Sequence, residues 1–242
     1  YYGWFGWQDY CVATPALILK KVDPDMAPLS TGAGLLGING LTAYLALHDI
    51  GRPQAGETVL VTAAAGAVGS IVGQLAKQAG AQAVAVVGSD EKGKRAMSDF
   101  GYSAYINYKK PIEAALKETC PQGIDVFFDN TGGDMSDTII RHMALFGRVI
   151  QCGTMSIASW ADNPTGLRND RELLTRRLRM EGFVIFDHIK RFDDTAAKLA
   201  AMIKDGRLHY AEDIESDIAQ APQALVDVYS GKNKGKKLIK LR

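Results

Sequence analysis

Residues 57–92, ETVLVTAAAGAVGSIVGQLAKQAGAQAVAVVGSDEK, constrain this chain more than any other stretch. Thr58 to Thr62 is apolar and β-branched, long enough for one buried strand. Small residues follow at once, Ala63 to Ala67, and then Gly69 and Gly73. From Val68 the apolar positions (Val68, Val72, Leu75, Ala76, Ala79) recur at helical spacing until Gly80 stops the turn. Gln82 to Val87 reads as a second buried strand. A strand, a small-residue turn, a helix and a strand within about 30 residues make the βαβ unit that binds dinucleotides.

Small residues are what such a turn needs, because backbone N–H groups at the helix start must come close to a pyrophosphate. On this reading Gly66 lets the main chain reach the phosphates, and Gly69 and Gly73 let the helix lie close on the sheet. The usual G-x-G-x-x-G is not intact, since Ala64 stands where the first glycine would be. A tight turn that binds nothing is the bland alternative. The end of the second strand speaks to which dinucleotide. An NAD site places a carboxylate there for the ribose. Here Ser89 is small and neutral, and Lys92 and Arg95 offer positive charge to a 2′-phosphate. Asp90 keeps NAD open, although an aspartate at a helix start also serves as an N-cap. The charge pattern favours NADP(H).

The rest of the composition excludes more than it selects. Of 242 residues, 47% are hydrophobic and 23% charged, as in ordinary globular proteins. A net charge of +1 gives no electrostatic case for nucleic acid or a membrane surface, and no apolar run reaches the length of a membrane span. Three cysteines far apart (Cys11, Cys120, Cys152) make neither a disulfide framework nor a zinc pattern, so a cytoplasmic location is expected. The opening YYGWFGWQDYCVA resembles the middle of a β structure, so a preceding N-terminal portion is expected.

In chain order, Tyr1 to Leu19 suggests two strands with a turn near Thr14-Pro15, and Leu29 to Leu47 a glycine-laced helical stretch capped by Ser30 or Thr31. After the βαβ unit, helices are expected over Asp90–Phe100, Pro111–Thr119, Asp134–Leu145, Asp170–Arg179 and Phe192–Lys204. Strands are expected over Tyr105–Asn107, Ile124–Phe128, Gly147–Gln151 and Gly182–Phe186. Six strands alternating with helices predict an α/β fold with an open, doubly wound parallel sheet. The tail, with strand Leu208–Glu215, helix Ile218–Tyr229 and strand Lys236–Leu241, is expected to return to a small domain begun by the first 30 residues. The expected domains are therefore 1–30, 31–207 and 208–242.

Ligands in such sheets lie off the carboxyl ends of the strands. Three ends there carry suggestive groups. Asn130 within DNTGG would place an amide near the ribose or nicotinamide. Cys152-Gly153-Thr154 would meet the nicotinamide face, and Phe183-Val184-Ile185 would offer backbone groups to its carboxamide. Plain turns are the alternative for the first two, and Cys152 reads better as a small buried residue than as a nucleophile. His48, His142, His188 and His209 show no metal spacing. Lys232 to Lys237 reads as a solvated loop from which Asn233 reaches a cofactor. Trp4, Trp7 and Tyr10 are expected in the core.

The pieces GWQDY (6–10), GLTAY (40–44), AAAGAVGS (63–70), GSDEK (88–92), NYK (107–109), FDNTGG (128–133), CGTMS (152–156), RMEGFVIF (179–186) and GKNKGK (231–236) span nearly the whole chain. Together they resemble the medium-chain dehydrogenase/reductase superfamily, in its zinc-free branch of alkenal, prostaglandin and curcumin reductases. The resemblance implies a Rossmann domain with a partial, mostly β, GroES-like substrate domain. It implies NADPH-dependent reduction of carbon–carbon double bonds conjugated to a ketone or aldehyde, and a homodimer joined near Gly182 to Phe186. Carried over, cofactor contacts fall on Gly66 to Gly69, Lys92, Tyr108, Asn130, Cys152 to Ala158, Phe183 to Ile185 and Asn233, with Lys92 and Tyr108 flanking the 2′-phosphate. Tyr44 and His188 are the side-chain candidates for the substrate cleft. Two departures stand out: Ala158 and Ser159 fall where many members carry a tyrosine, and the members' longer N-terminal part is absent. Gly34 to Leu41 holds no Cys, His or Glu where zinc-dependent relatives have a ligand. A quinone reductase of the same superfamily and a non-catalytic NADPH-binding protein are the alternatives.

Overall fold

Two short antiparallel strands, Tyr2–Gly3 (β1) and Ile18–Lys20 (β2), open the chain, with a 3₁₀ turn over Pro15–Leu17 where the sequence suggested the bend. The computed structural model describes residues 1–157 and 165–241. Trp4, Trp7 and Tyr10 correct the expectation of a core position. They are 58%, 66% and 82% exposed, because residues 4–14 form no regular strand whose inner face could bury them. The stretch read as one helix over 29–47 is broken into a 3₁₀ segment, Leu29–Ala33, and an α-helix, Ile38–Ala46 (α1), followed by a π turn over Leu47–Gly51. Glycine explains the break: a Cβ on Gly37 would collide with the Gly32 carbonyl, and one on Gly40 with that of Leu35. Thr31 does not cap a helix. Its hydroxyl donates to the Pro28 carbonyl at 2.7 Å.

The main sheet follows the sequence closely. Its parallel strands are Thr58–Thr62 (β3), Gln82–Val87 (β4), Ala104–Asn107 (β5), Ile124–Asp129 (β6), Met143–Gln151 (β7) and Arg179–Gly182 (β8), in the spatial order β5-β4-β3-β6-β7-β8. The helices between them are Gly69–Gln78 (α2), Asp90–Asp99 (α3), Ile112–Thr119 (α4), Gly133–Ile140 (α5) and Asp170–Arg176 (α6). Leu60, Val84, Ile106, Leu116, Ile124, Phe127, Ile139 and Met143 bury one continuous apolar layer against the sheet. Burial of this kind, worth about 1.5–3 kcal/mol for each large side chain, drives the fold.

Several elements differ from the pattern reading, among them α6, which stops at Arg176 and not Arg179 because Arg179 already pairs with Arg148. Helix α5 ends at Ile140, not Leu145, because Met143 already pairs with Ile124 across the sheet. Phe146, at a left-handed φ of 60°, lies in β7 near an irregularity in its pairing with β6. Strand β8 comes earlier than Gly182–Phe186: Arg148 to Gln151 pair with Arg179 to Gly182, so the charged RMEG segment is the edge. Ile185–Arg191 is a 3₁₀ segment instead. Exposure explains the misreading, since all four residues of β8 face solvent and lack a buried strand's apolar run.

After it come Phe192–Lys204 (α7), Glu212–Ser216 (β9), Ala221–Tyr229 (α8) and Lys236–Lys240 (β10), with β9 and β10 a parallel pair. The chain divides into two compact units. One comprises Ala43–Ala65 and Gly69–Val184 and carries the main sheet; the other comprises Tyr1–Thr42, Gly66–Val68 and Ile185–Arg242.

Candidate cofactor site

Within the sheet unit, β3 and β6 are spatial neighbours although two strands separate them in sequence, so the strand order reverses between them. That reversal is where open α/β sheets leave a crevice off their carboxyl ends. The turn out of β3 is tight: Ala63 takes a left-handed φ of 50°, and the N–H of Ala64 donates to Val86 at 3.3 Å. A Cβ on Gly69 would stand 2.5 Å from the Ala63 carbonyl and 2.7 Å from the Ala64 Cα, so helix α2 starts against the strand end as expected. Gly73 serves another purpose. Its missing Cβ makes room for the Tyr102 ring and the Phe100 carbonyl, and the Tyr102 hydroxyl donates to the Gly69 carbonyl at 2.6 Å. Residues 66–68 fall in the other unit.

Asp129, at the end of β6, is the group that sequence reading missed. Its carboxylate is fully buried and accepts from the hydroxyls of Thr62 (2.9 Å), Thr131 (3.1 Å) and Ser136 (2.6 Å), and from the N–H groups of Thr131 and Gly132. The Gln151 amide adds a longer contact at 3.3 Å. A buried charge survives only with such a set of donors, and this one ties the ends of β3, β6 and β7 together. Signals existed, in the Thr62 that closes β3 and the Ser136 one helical turn into α5, but they become meaningful only once three strands lie side by side.

The two turns beyond this knot are locked onto each other. Asn130 donates its side-chain amide to the Thr62 carbonyl (2.7 Å) and its N–H to the Thr62 hydroxyl (2.8 Å). Cys152 and Gly153 both donate their N–H to the Asp129 carbonyl, and the Ser156 hydroxyl lies 2.7 Å from the carbonyls of Thr131 and Gly132. A Cβ on Gly153 would meet the Asn130 carbonyl at 2.7 Å. Burial and the nearby Asp129 push the Cys152 thiol up to about 12, which leaves it protonated and unreactive at neutral pH. Ala158 and Ser159 lie outside the described residues.

Other singled-out positions are dispersed. Phe183 lies just past β8, with its N–H donating to the Gln151 carbonyl at 3.0 Å; Val184 is exposed and Ile185 buried in the second unit. These three therefore lie beyond the last strand and not on it. Tyr44 stacks on His48, ring centres 4.1 Å apart, and the Tyr44 carbonyl accepts from the His48 Nδ1 at 2.7 Å. His188 belongs to the second unit, at a kink in the 3₁₀ segment. Asn233, in that unit too, donates its amide to the Gly235 carbonyl at 2.7 Å.

The end of β4 carries the charge. Ser89 caps α3, its hydroxyl accepting from the Lys92 N–H at 3.2 Å; Asp90, offered as a cap, is the first residue inside the helix. Lys92 is half-buried. Burial first, then the neighbouring Arg95 and Lys109 charges, lower its pKa, with Glu91 opposing. Arg95 is turned aside, bonded to Asp99 at 3.2 Å with its guanidinium over the Phe100 ring. A Cβ on Gly88 would come within 2.9 Å of the Tyr108 hydroxyl. The Lys92 ammonium, with the Lys109 charge near enough to lower its pKa, the Ser89 hydroxyl at the helix cap and the Tyr108 hydroxyl over Gly88 make a cradle of groups whose chemistry fits a phosphate dianion.

A profile of the zinc-binding dehydrogenase family matches residues 67–204. The 2-alkenal reductase (NADP(+)-dependent) of Nicotiana tabacum is 40% identical, over 98% of this chain and 70% of its own. The chain belongs to the medium-chain dehydrogenase/reductase superfamily. Within this superfamily it groups with the alkenal, prostaglandin and curcumin reductases. The (+)-pulegone reductase of Mentha piperita is 39% identical, over 97% of this chain and 69% of its own. CurA from Vibrio vulnificus, solved in complex with NADPH, superposes with a TM-score of 0.83 at 34% identity, covering 88% of this chain and 65% of that one. Among the described residues, no group of three or more His, Cys, Asp or Glu is placed to hold a metal ion.

Proposed function

We propose that the chain is a zinc-free NADPH-dependent reductase of carbon–carbon double bonds conjugated to a ketone or aldehyde. The cradle on Lys92 carries the cofactor half of this reading, and the alkenal and pulegone reductases support the substrate half. Bound NADPH would supply the hydride. The protein's part is to hold and orient. Backbone of the turn at Gly66 to Gly69 cradles the pyrophosphate, and Ser89, Lys92 and Tyr108 take the 2′-phosphate. The rigid ends of β6 and β7, with Asn130, Cys152, Gly153 and Thr154, position the nicotinamide end together with Phe183 and Val184 just past β8; Ile185 and Asn233, in the other unit, are proposed separately as cofactor contacts. A fixed polar framework of this kind stabilises charge as it develops on a substrate carbonyl oxygen without first reorganising. Protonation of the α-carbon then falls to solvent, and Tyr44 and His188 are the side chains proposed to touch substrate.

The same reading makes the protein a cytoplasmic homodimer. Its three cysteines are free, and β8 leaves a solvent-exposed sheet edge on which a second copy can pair. Among the described residues no helix is long and apolar enough to cross a membrane. The decisive experiment measures initial rates with trans-2-alkenals, enones and quinones, using NADPH and NADH in turn. Alkenals and enones are expected to exceed quinones. The Lys92→Ala variant is expected to raise the KM for NADPH about tenfold or more while leaving that for NADH nearly unchanged. Equal effects on both cofactors would refute the phosphate assignment.

A further inference from the structure

One residue past Ser89, which stands where an NAD site places its ribose carboxylate, this chain has Asp90, and both its oxygens are already engaged. Oδ1 accepts from the Asn107 side-chain amide at 2.9 Å, and Oδ2 from the Lys110 ammonium at 2.8 Å. The other end of the Asn107 amide accepts the Lys109 N–H at 3.1 Å, and the Lys110 N–H closes the turn on the Asn107 carbonyl at 3.0 Å. Asp90 thus staples the turn after β5 to the first residue of α3. That turn carries Tyr108, whose N–H donates to Val87 and whose hydroxyl fills the space above Gly88. It also carries Lys109, whose charge is felt by Lys92.

We infer that Asp90 is a positioning residue for cofactor choice. Neutralised by Lys110 and tied through Asn107, it holds the Tyr108–Lys109 turn beside Lys92. A residue type that selects NAD elsewhere here serves the 2′-phosphate. The ion pair agrees in sign: hydrogen bonds from Lys110 and Asn107 hold the Asp90 carboxyl below its usual range, and the bond to Asp90 and its charge raise Lys110 above its own. The inference rests on the NADP(H) reading of the preceding section.

The test is a double-mutant cycle read by calorimetric titration with NADP⁺ and NAD⁺ at one fixed ionic strength. Lys110→Met is expected to weaken NADP⁺ binding about three- to fivefold, the scale of a solvent-screened ion pair, and to leave NAD⁺ unchanged or slightly tighter. Lys110→Arg, which keeps the charge, is expected to restore the wild-type ratio. In an Asp90→Asn background, Lys110→Met is expected to change NADP⁺ affinity by less than about twofold, because Lys110 acts through Asp90. If Lys110→Met costs the same factor in both backgrounds, Lys110 acts directly on the phosphate and the inference is overturned. It is overturned equally if Asp90→Asn weakens NAD⁺ and spares NADP⁺, which would make Asp90 a ribose ligand. Lys92→Ala separates the two levels. If its NADP⁺ to NAD⁺ preference stays at the wild-type value, the cofactor reading itself fails, whereas a lost preference with no Lys110 effect removes this inference alone.

Discussion

Cysteine chemistry at this site is decided residue by residue, by what surrounds each thiol. Cys152 follows directly on β7 at the carboxyl end of the sheet, yet burial and the Asp129 charge push its thiol up to about 12, and burial alone raises Cys120 to about 11. Only the thiolate reacts with alkylating agents. Iodoacetamide at pH 7.5 on native protein is therefore expected to label exposed Cys11 and to spare the other two, as peptide mass mapping would show. Rapid labelling of Cys152 would contradict its assignment as a structural residue. The same attention to surroundings explains why Lys92 was legible early and Asp129 was not. A lysine after a glycine–serine strand end advertises itself within a few positions. The Asp129 donors come from residues 62, 131, 132, 136 and 151, and no local window contains them.

At the level of elements, two contacts carry predictable energy. Arg148 on β7 grips the Glu57 carboxylate ahead of β3 with bonds of 2.8 and 2.6 Å, and also donates to the Gly51 carbonyl at 2.9 Å. Burial alone would raise the Glu57 pKa, but the Arg148 bonds and the Gln54 N–H outweigh it and hold it below the usual value. Because the folded value is depressed, the stabilisation is complete above the unfolded glutamate pKa of about 4.3 and disappears as pH falls through the lower folded value. Glu57→Gln is expected to cost about 1–2 kcal/mol in urea unfolding at pH 7, with the gap to wild type closing below about pH 4. A gap that persisted in acid would rule out the ion pair as its source. Gly73→Ala tests the other contact. Its Cβ would strike the Tyr102 ring and lie 2.7 Å from the Phe100 carbonyl, so overpacking should destabilise by about 1–3 kcal/mol. Since Gly73 faces Tyr102 and not the sheet, Gly73→Ala in a Tyr102→Leu background is expected to recover part of that loss.

For the molecule as a whole, cofactor binding links site to stability. A ligand held only by the folded state adds about 2.7 kcal/mol at a hundredfold excess over its Kd, which in a chain of this size raises Tm by about 5–10 °C. Calorimetric scans are expected to show that shift with NADPH and a smaller one with NADH at equal concentration; equal shifts would count against the 2′-phosphate cradle. The order of strands and helices from residue 58 to 140 was written in local patterns, because buried parallel strands and amphipathic helices each carry their own periodicity. So was the cofactor class, since small residues and cations announce a phosphate site over a few positions. Tertiary structure alone decided the rest. Whether Met143 continues a helix or pairs with Ile124, whether RMEG forms a strand, and whether Asp90 meets a ribose or a lysine twenty residues away depend on partners far along the chain. Local sequence describes what a segment can become; packing against distant segments selects among those states, because the free energy that separates them lies in the contacts between segments.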